Sequence, residues 1–195
     1  MSWFSNADIC QAHAGAGAGV PAFALAVSGA TKALSADNVE SVEMIIGEVP
    51  ENGSIYFMTK GAWSNIRLIE YLLQHSGPAE VFLSTWSISE EAIRRLVSWK
   101  ESGMITGLSV VLDEGVRNRK PEICQQAIAA FPELKFAKCH AKVAVIMGAQ
   151  RVFTLMGSAN FTRNPRRETG MIITDIEIAR ANAQWIREEV QDERS

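Results

Sequence analysis

The chain is poor in the residues that build disulfide frameworks and metal sites. Among 195 residues there are only three cysteines, Cys10, Cys124 and Cys139, and three histidines. The cysteines are odd in number, far apart and without a CxxC pair, which argues against a disulfide framework and favours a cytoplasmic protein. No Cys and His residues have the spacing of zinc ligands, so we expect no metal site and no cofactor.

The chain also lacks an excess of either charge and a long hydrophobic run. Its net charge is −3, so any anion recognition must come from a local patch. The N-terminus has no basic segment followed by a leucine-rich one, so a signal peptide is not expected. The apolar stretch from Ala12 to Leu34 is mostly Ala and Gly and contains Pro21 and Lys32, so we expect no stable membrane association.

The first fifty residues differ in composition from the rest. After His13, Ala and Gly alternate, which is typical of a flexible segment, and Val20–Leu34 could be a helix packed on the core or on a partner. Nearly half of the chain, 47%, is apolar, enough for one sizeable core. We therefore divide the chain into an N-terminal extension at 1–50, with an oligomerisation arm as one interpretation, and one domain at 51–195.

From Ser54 onward, short apolar runs alternate with amphipathic segments. Strands are predicted at Ile55–Met58, Val81–Leu83, Leu108–Leu112, Phe136–Ile146, Val152–Met156 and Met171–Ile173. Helices are predicted before Gly77, after a capping box at Ser87 and Glu90, from Pro121, and after the cap Asp175. This alternation predicts an α/β fold with a mixed, largely parallel sheet flanked by helices, in which a turn around Gly148 forms a hairpin.

Two short stretches carry the residues that suggest chemistry. His140-Ala-Lys142 lies in a predicted strand, where residues at i and i+2 face the same side. Gly157-Ser158-Ala-Asn160 follows the next predicted strand and repeats that spacing. If the hairpin forms, both pairs of side chains can reach one point near a strand end.

These residue types suit a phosphoryl group. Lys142 supplies a compact cation, the Ser158 hydroxyl and the Asn160 amide donate hydrogen bonds, and Gly157 lets the backbone approach an anion closely. A neutral His140 can attack phosphorus to give a phosphohistidine. A second, protonated histidine would serve the leaving oxygen.

The order of these residues resembles the signature of the phospholipase D superfamily. His-x-Lys, then Gly-Ser-x-Asn, then a later Glu has that pattern, and the run Ser158–Thr162 is especially similar to the small bacterial nuclease-type members. The region from Ser54 to the C-terminus resembles the fold in its order of strands and helices. The resemblance implies a metal-independent site in which His140 is the nucleophile. It also implies that Lys142 and Asn160 bind the phosphate, that Ser158 is a supporting hydrogen-bond donor, and that Glu168 is the partner of the histidine.

The chain departs from the family pattern in two ways. The family has Asp five residues after the Lys, where this chain has Met147. The interval from His140 to Gly157 is about three residues longer than usual, which a longer hairpin turn could absorb. Both departures keep open an alternative in which the protein is weakly active or inactive.

The histidine count predicts a dimer. The family mechanism uses two His-x-Lys motifs, whereas this chain has one. His13 lies in the glycine-rich segment and His75 has no Lys two residues on. We therefore expect a C2 homodimer in which each subunit contributes one His140 to a shared site.

Two groups of basic residues flank these motifs. Arg163, Arg166 and Arg167 follow the second motif directly, and we interpret them as a basic rim that steers a polyanion to the site. A second basic loop, Arg117 to Lys120, follows a predicted strand, but a solvated loop is the preferred interpretation there. Trp63, Trp86 and Trp99 are interpreted as core or interface anchors, although Trp86 lies just past a strand and could border the site.

The leading hypothesis from the sequence is a metal-independent phosphodiesterase, an endonuclease that acts on nucleic acid as a homodimer. The first alternative is a weakly active or inactive phospholipase D-like protein that binds nucleic acid or serves in an assembly. A second alternative is a hydrolase of phospholipids or small phosphodiesters.

Overall fold

A computed structural model describes residues 31–36, 42–61, 63–163 and 165–192. Within them the strands are β1 (Thr31–Ala36), β2 (Ser54–Lys60), β3 (Ala79–Thr85), β4 (Ile105–Asp113), β5 (Glu133–Ala137), β6 (Val143–Gly148), β7 (Val152–Gly157) and β8 (Arg167–Ile173). The helices there are α1 (Val42–Ile46), α2 (Asn65–Ser76), α3 (Glu90–Glu101), α4 (Val116–Arg119), α5 (Pro121–Ala130) and α6 (Ile176–Gln191). None of the helices in this part of the chain is both long and apolar enough to cross a membrane.

All the described strands join one sheet, in the order β1-β2-β8-β7-β6-β3-β4-β5. The pairs β1–β2, β3–β4 and β4–β5 are parallel. The pairs β2–β8, β8–β7, β7–β6 and β6–β3 are antiparallel. The predicted α/β class and mixed sheet are confirmed, and among the described strands the two pairing types are more evenly mixed than expected. The reason is that the β6–β7 hairpin and β8 occupy the centre of the sheet.

Helices cover the two faces of the sheet unequally. The larger hydrophobic cluster lies on one face and includes buried residues of α1, α2, α3 and α5. The smaller cluster lies on the other face, where Ala183 and Ile186 of α6 pack near Phe82 and Val145. Because side chains alternate along a strand, β6 contributes Ala144 to the larger cluster and Val145 to the smaller one.

Several predicted helix and turn boundaries are confirmed. Asp175 caps α6, since its carboxylate accepts hydrogen bonds of 2.9 Å from the backbone amides of Glu177 and Ile178. Pro121 is the first residue of α5, where a missing amide hydrogen is tolerated. The turn at Gly148 joins β6 to β7.

The predicted strand Phe136–Ile146 is wrong, because β5 and β6 are separate strands with residues 138–142 between them. β5 pairs with β4 at the edge of the sheet, whereas β6 pairs with β3 and β7. The chain must therefore leave the sheet after β5 and pass the ends of β4 and β3 before it re-enters as β6. His140 and Lys142 lie in this crossing and not in a strand.

The predicted cap of α3 is also wrong. Ser89 caps the helix, because its hydroxyl accepts a hydrogen bond of 3.2 Å from the amide of Ala92. Ser87 lies earlier in the connection, where its carbonyl accepts a hydrogen bond from the amide of Phe161. The Ser87 hydroxyl accepts a hydrogen bond of 3.2 Å from the Lys120 amine and does not cap the helix.

The N-terminal predictions fall partly outside the described residues. Residues 31–34, predicted as the end of a helix, lie in β1, which pairs in parallel with β2. β1 and α1 both precede residue 51, so the sheet and its helices extend past the expected start of the domain. The segment proposed as an oligomerisation arm lies, up to residue 30, outside the described part of the chain.

Candidate active site

The two motifs meet at one edge of the sheet, here the line along which strands end, because of strand direction. The parallel strands β3, β4 and β5 end at this edge, and β6, antiparallel to β3, begins there. β7 ends at the same edge, and β8 begins there. Residues 138–142 and 158–163 are therefore neighbouring loops, although fourteen residues, 143–156, separate the two motifs in sequence.

Residues 138–142 are held against the ends of β3 and β4. The Ser84 hydroxyl lies 3.1 Å from the Cys139 sulfur and donates to the carbonyl oxygen of Ala141 at 3.5 Å. The Glu114 amide donates to the carbonyl oxygen of Ala137 at 2.9 Å. Cys139 packs against the smaller cluster, as expected of a small hydrophobe, while the His140 side chain is exposed.

Contacts with the rest of the domain hold each residue of the second loop from Ser158 to Phe161. The Ser158 amide donates to Thr169 at 2.9 Å, and the buried Asn65 side chain donates to the Ala159 carbonyl at 2.7 Å. The Thr85 hydroxyl lies 3.3 Å from the Asn160 side-chain oxygen. The next residue, Phe161, is buried in the larger cluster. Helix α2 and strands β3 and β8 together hold the loop in place.

A backbone hydrogen bond joins the two motifs directly. The Gly157 amide donates to the carbonyl oxygen of Lys142 at 3.2 Å. A side chain at residue 157 would collide with the Thr169 carbonyl and lie 2.8 Å from the Gly170 Cα atom. Glycine is required here because β7 and β8 approach each other closely.

Lys142 and Ser158 line a groove of about 420 Å³ beside this junction. Lys142 is 8% exposed, and its amine donates a hydrogen bond of 2.6 Å to the carbonyl oxygen of His140. Burial lowers the pKa of the Lys142 amine, while electrostatic interactions with Cys139, Glu168 and Asp113 act in the opposite direction. The amine is thus a partly desolvated cation at the wall of an open groove, which strengthens its attraction for an anion.

Ser158 and Glu168 form a pair across the start of β8. The Ser158 hydroxyl donates to the Glu168 carboxylate and accepts a hydrogen bond of 3.1 Å from the Thr169 amide. The expected approach of Glu168 to the motif is therefore present, with Ser158 as a partner that the sequence did not suggest. The expected pairing of Glu168 with His140 stays a prediction.

Trp86, which the sequence suggested could border the site, lies beside His140, and Arg119 and Asp113 accompany it. The His140 ring lies edge-on to the Trp86 ring, with 5.9 Å between ring centroids. The Arg119 guanidinium stacks on Trp86 at 3.9 Å and forms an ion pair of 2.8 Å with Asp113. The signal for these residues was a basic loop directly after a strand, at the strand ends where ligands of α/β sheets bind.

The expected basic rim lies along the same strand ends, on the β8 side of the motifs. Arg163, Arg166 and Arg167 are exposed, and Arg167 begins β8 opposite Lys60, the last residue of β2. The other described histidine, His75, ends near the opposite edge, where its Nδ1 atom lies 2.8 Å from the Tyr71 carbonyl. His75 and His140 therefore cannot meet within one chain, and His13 lies outside the described residues.

Met147 occupies the end of β6 that is remote from the motif. It pairs with Glu80 and Val152 and packs against the smaller cluster. It lies four positions along the strand from Val143, about 13 Å at the usual rise of a strand. The residue that departs from the family pattern therefore supports the sheet and does not touch the groove.

Comparison with known proteins shows likeness in fold. No protein-family model matches this chain, and no curated protein matches it in sequence. The structure of polyphosphate kinase from Porphyromonas gingivalis is similar over 71% of this chain and 26% of the kinase, at 15% identity and a TM-score of 0.56. This likeness shows a shared α/β fold, and the chain spans only about a quarter of that kinase.

Two further structures are less similar. NucT from Helicobacter pylori matches 71% of this chain and 96% of its own, at 18% identity and a TM-score of 0.48. TrmBL2, an archaeal chromatin protein whose structure shows a novel mode of DNA binding, matches 73% of this chain and 53% of its own, at 14% identity and a TM-score of 0.44.

Proposed function

We propose that this protein is a metal-independent phosphodiesterase of the phospholipase D type that cleaves nucleic acid. The observation that carries the proposal is the junction of the two motifs, where the Gly157 amide donates to the carbonyl of Lys142. Beside that contact, the desolvated Lys142 ammonium and the Ser158 hydroxyl line one groove. The exposed His140 lies two residues before Lys142, and Asn160 lies two residues after Ser158. The order of these residues in the sequence, similar to the phospholipase D signature, supports the same chemistry.

The residues suggest a two-step displacement. An unprotonated ring nitrogen of His140 attacks phosphorus, the bond to the leaving oxygen breaks, and a histidine from a second subunit supplies the proton to that oxygen. Water then attacks the phosphohistidine, gives up its proton to the second histidine, and releases the phosphate ester and free His140. Lys142 and Asn160 stabilise the negative oxygens of phosphorus throughout.

A homodimer supplies the second histidine in this proposal. The groove beside Lys142 is lined on one side by Tyr56, Met156 and Met171, and Tyr56 is 40% exposed. Helix α6 packs on β3 to β7, so this apolar wall continues onto β2 and β8 beyond the helix. A second copy related by a two-fold axis would cover the wall and bring its own His140 toward the groove.

Nucleic acid is the proposed substrate because cations lie on both sides of the motifs. Arg163, Arg166 and Arg167 lie on the β8 side, and Arg119 and Lys120 lie on the β4 side. A phosphodiester polymer that crosses the edge of the sheet would meet both groups, whereas a small phosphodiester would meet only the centre.

Activity in excess chelator tests the proposed chemistry. The wild-type protein, its His140→Ala variant and a His75→Ala control are incubated with single-stranded DNA, double-stranded DNA, phosphatidylcholine vesicles and bis(4-nitrophenyl) phosphate. We expect the wild type and the control to cleave DNA and the small diester, and His140→Ala to cleave neither. DNA binding without cleavage of any substrate would instead support a binding role, and selective turnover of the vesicles would support a lipid substrate.

The dimer is tested at its apolar wall. Met171→Glu should give a monomer in analytical ultracentrifugation and lose activity, because each monomer lacks a second histidine. Ile128→Glu is the matched control, since Ile128 is a 53% exposed apolar residue on α5, and it should stay dimeric and active. A fully active monomer would refute the shared site.

A further inference from the structure

Trp86 differs from the other tryptophans that the structure describes. Trp63 and Trp99 pack in the larger cluster and Trp185 packs against the smaller one, whereas Trp86 is a member of neither. It follows the last residue of β3 directly and is partly exposed. A large, partly exposed aromatic side chain that supports no core, 5.9 Å from the ring of His140, calls for another explanation.

The position of the Trp86 ring is fixed from one side. The Arg119 guanidinium stacks on it at 3.9 Å and also donates to the Trp86 carbonyl oxygen at 3.1 Å. Asp113 holds Arg119 at 2.8 Å and accepts a hydrogen bond of 3.1 Å from the Gly115 amide. A side chain at residue 115 would collide with the guanidinium. The local sequence is therefore arranged to let Arg119 reach the indole.

We infer that Trp86, braced by Arg119, is a stacking subsite for a nucleobase next to the scissile phosphate. The inference rests on the proposed function and adds to it which part of the substrate is recognised beside the phosphate. In a nucleotide, one sugar separates base from phosphate, so a phosphate at His140 brings an adjacent base within reach of the neighbouring indole. Stacking on an aromatic side chain tolerates any base, because every base has a π-face.

Arg119 and Lys120 fit the same subsite by charge. The Lys120 amine donates to the Ser87 hydroxyl at 3.2 Å, so it lies beside the connection that carries Trp86. Two cations near a stacking ring are the combination that grips a single strand by its bases and its backbone together. A substrate without bases would use the cations and leave the indole without a partner.

A dinucleotide with one phosphodiester tests the inference, because its register on the site is fixed. The wild-type dimer is given dithymidine monophosphate and two analogues, each with one base replaced by hydrogen, and the products are measured by chromatography. We expect removal of one of the two bases to lower kcat/KM roughly tenfold to a hundredfold, the usual effect of one stacked base. In Trp86→Leu that loss should disappear, and in Trp86→Phe it should persist.

Further variants separate stacking from other roles. Arg119→Ala should weaken the base preference, whereas Arg180→Ala, which removes an exposed arginine paired with Glu177 on α6, should leave it unchanged. If Trp86→Leu slows the dinucleotide and both analogues equally, Trp86 positions His140 and the inference is overturned. Equal rates for all three substrates in the wild type also overturn it while the proposed function stands. Failure of the wild type to cleave any of them overturns both.

Discussion

The amine of Lys142 donates a hydrogen bond of 2.6 Å to the carbonyl oxygen of His140. The two residues of the His-x-Lys motif are thus joined through the backbone of their own loop. An ammonium group has three hydrogens, so one can brace the loop while the others face the groove. In the proposed mechanism, Lys142 therefore serves both the loop conformation and the binding of the anion.

Replacing Lys142 should change the pH dependence of the reaction. Because burial lowers the pKa of the Lys142 amine from its ordinary 10.5, the cation is lost at a lower pH than in an exposed lysine. The rate should therefore fall on the alkaline side below pH 10.5. Lys142→Arg stays charged in that range, so its residual activity should lack this fall. Lys142→Met should lose on the order of 10²–10³-fold in kcat.

The same amine should affect folding stability in the opposite sense. Its pKa is lower in the folded chain than in the unfolded one, so the unfolded chain binds more protons between the two values. The free energy of unfolding that Lys142 contributes therefore rises with pH through the folded-state pKa up to about 10.5. Urea unfolding of wild type and Lys142→Met across this range checks the sign. If the free energy of unfolding of wild type instead falls relative to that of Lys142→Met as the pH rises, the prediction is contradicted.

Ser158 and Glu168 should act as one unit. Ser158 donates to Glu168 and accepts from Thr169, so its hydroxyl is engaged in the absence of substrate. We expect Ser158→Ala and Glu168→Gln each to lower kcat/KM, and the double variant to lose less than the product of the two single losses. Purely multiplicative losses in this double-mutant cycle would show that the residues act independently.

Gly157 should not tolerate a side chain. A Cβ atom there would collide with the backbone of β8 at Thr169, so Gly157→Ala should lower the free energy of unfolding by about 1–3 kcal/mol and displace the Ser158 loop. Gly107→Ala is the matched control, because its Cβ would meet only the flexible Glu80 side chain, at 3.4 Å. Chemical denaturation and activity of both variants provide the measurement. Equal stability of the two would mean that the β7–β8 approach is wider than described.

Introducing at residue 147 the Asp of the phospholipase D pattern should not raise activity. Met147 is half-buried against the smaller cluster at the remote end of β6, so Met147→Asp places a carboxylate in an apolar environment. We expect a loss of about 1–3 kcal/mol of stability and no gain in kcat. Met147→Leu, of similar volume, should be close to wild type in both measurements. A faster enzyme with Asp at this position would assign the residue a part in catalysis.

Much of the local structure follows from the sequence pattern. The alternation of apolar runs and amphipathic segments predicts most strands and helices. A strand or helix that buries one face must repeat apolar residues with the period of that element. Pro121 and Asp175 mark helix starts by backbone chemistry that needs no distant partner. The prediction is wrong at residues 136–146, where one stretch of alternating polar and apolar residues covers two strands and the loop between them. Periodicity does not reveal which neighbour a strand will pair with.

For the candidate site, the sequence by itself determined the residue types and their order: a histidine and a lysine two apart, then Gly157, Ser158 and Asn160. Only the tertiary structure decided how they meet. The crossing from β5 to β6 passes over two strands that come earlier in the chain. The Ser158–Glu168 pair joins residues ten apart, and the stack of Arg119 on Trp86 joins residues 33 apart. Such contacts depend on which strands end at the same edge of the sheet, and no local propensity specifies that order.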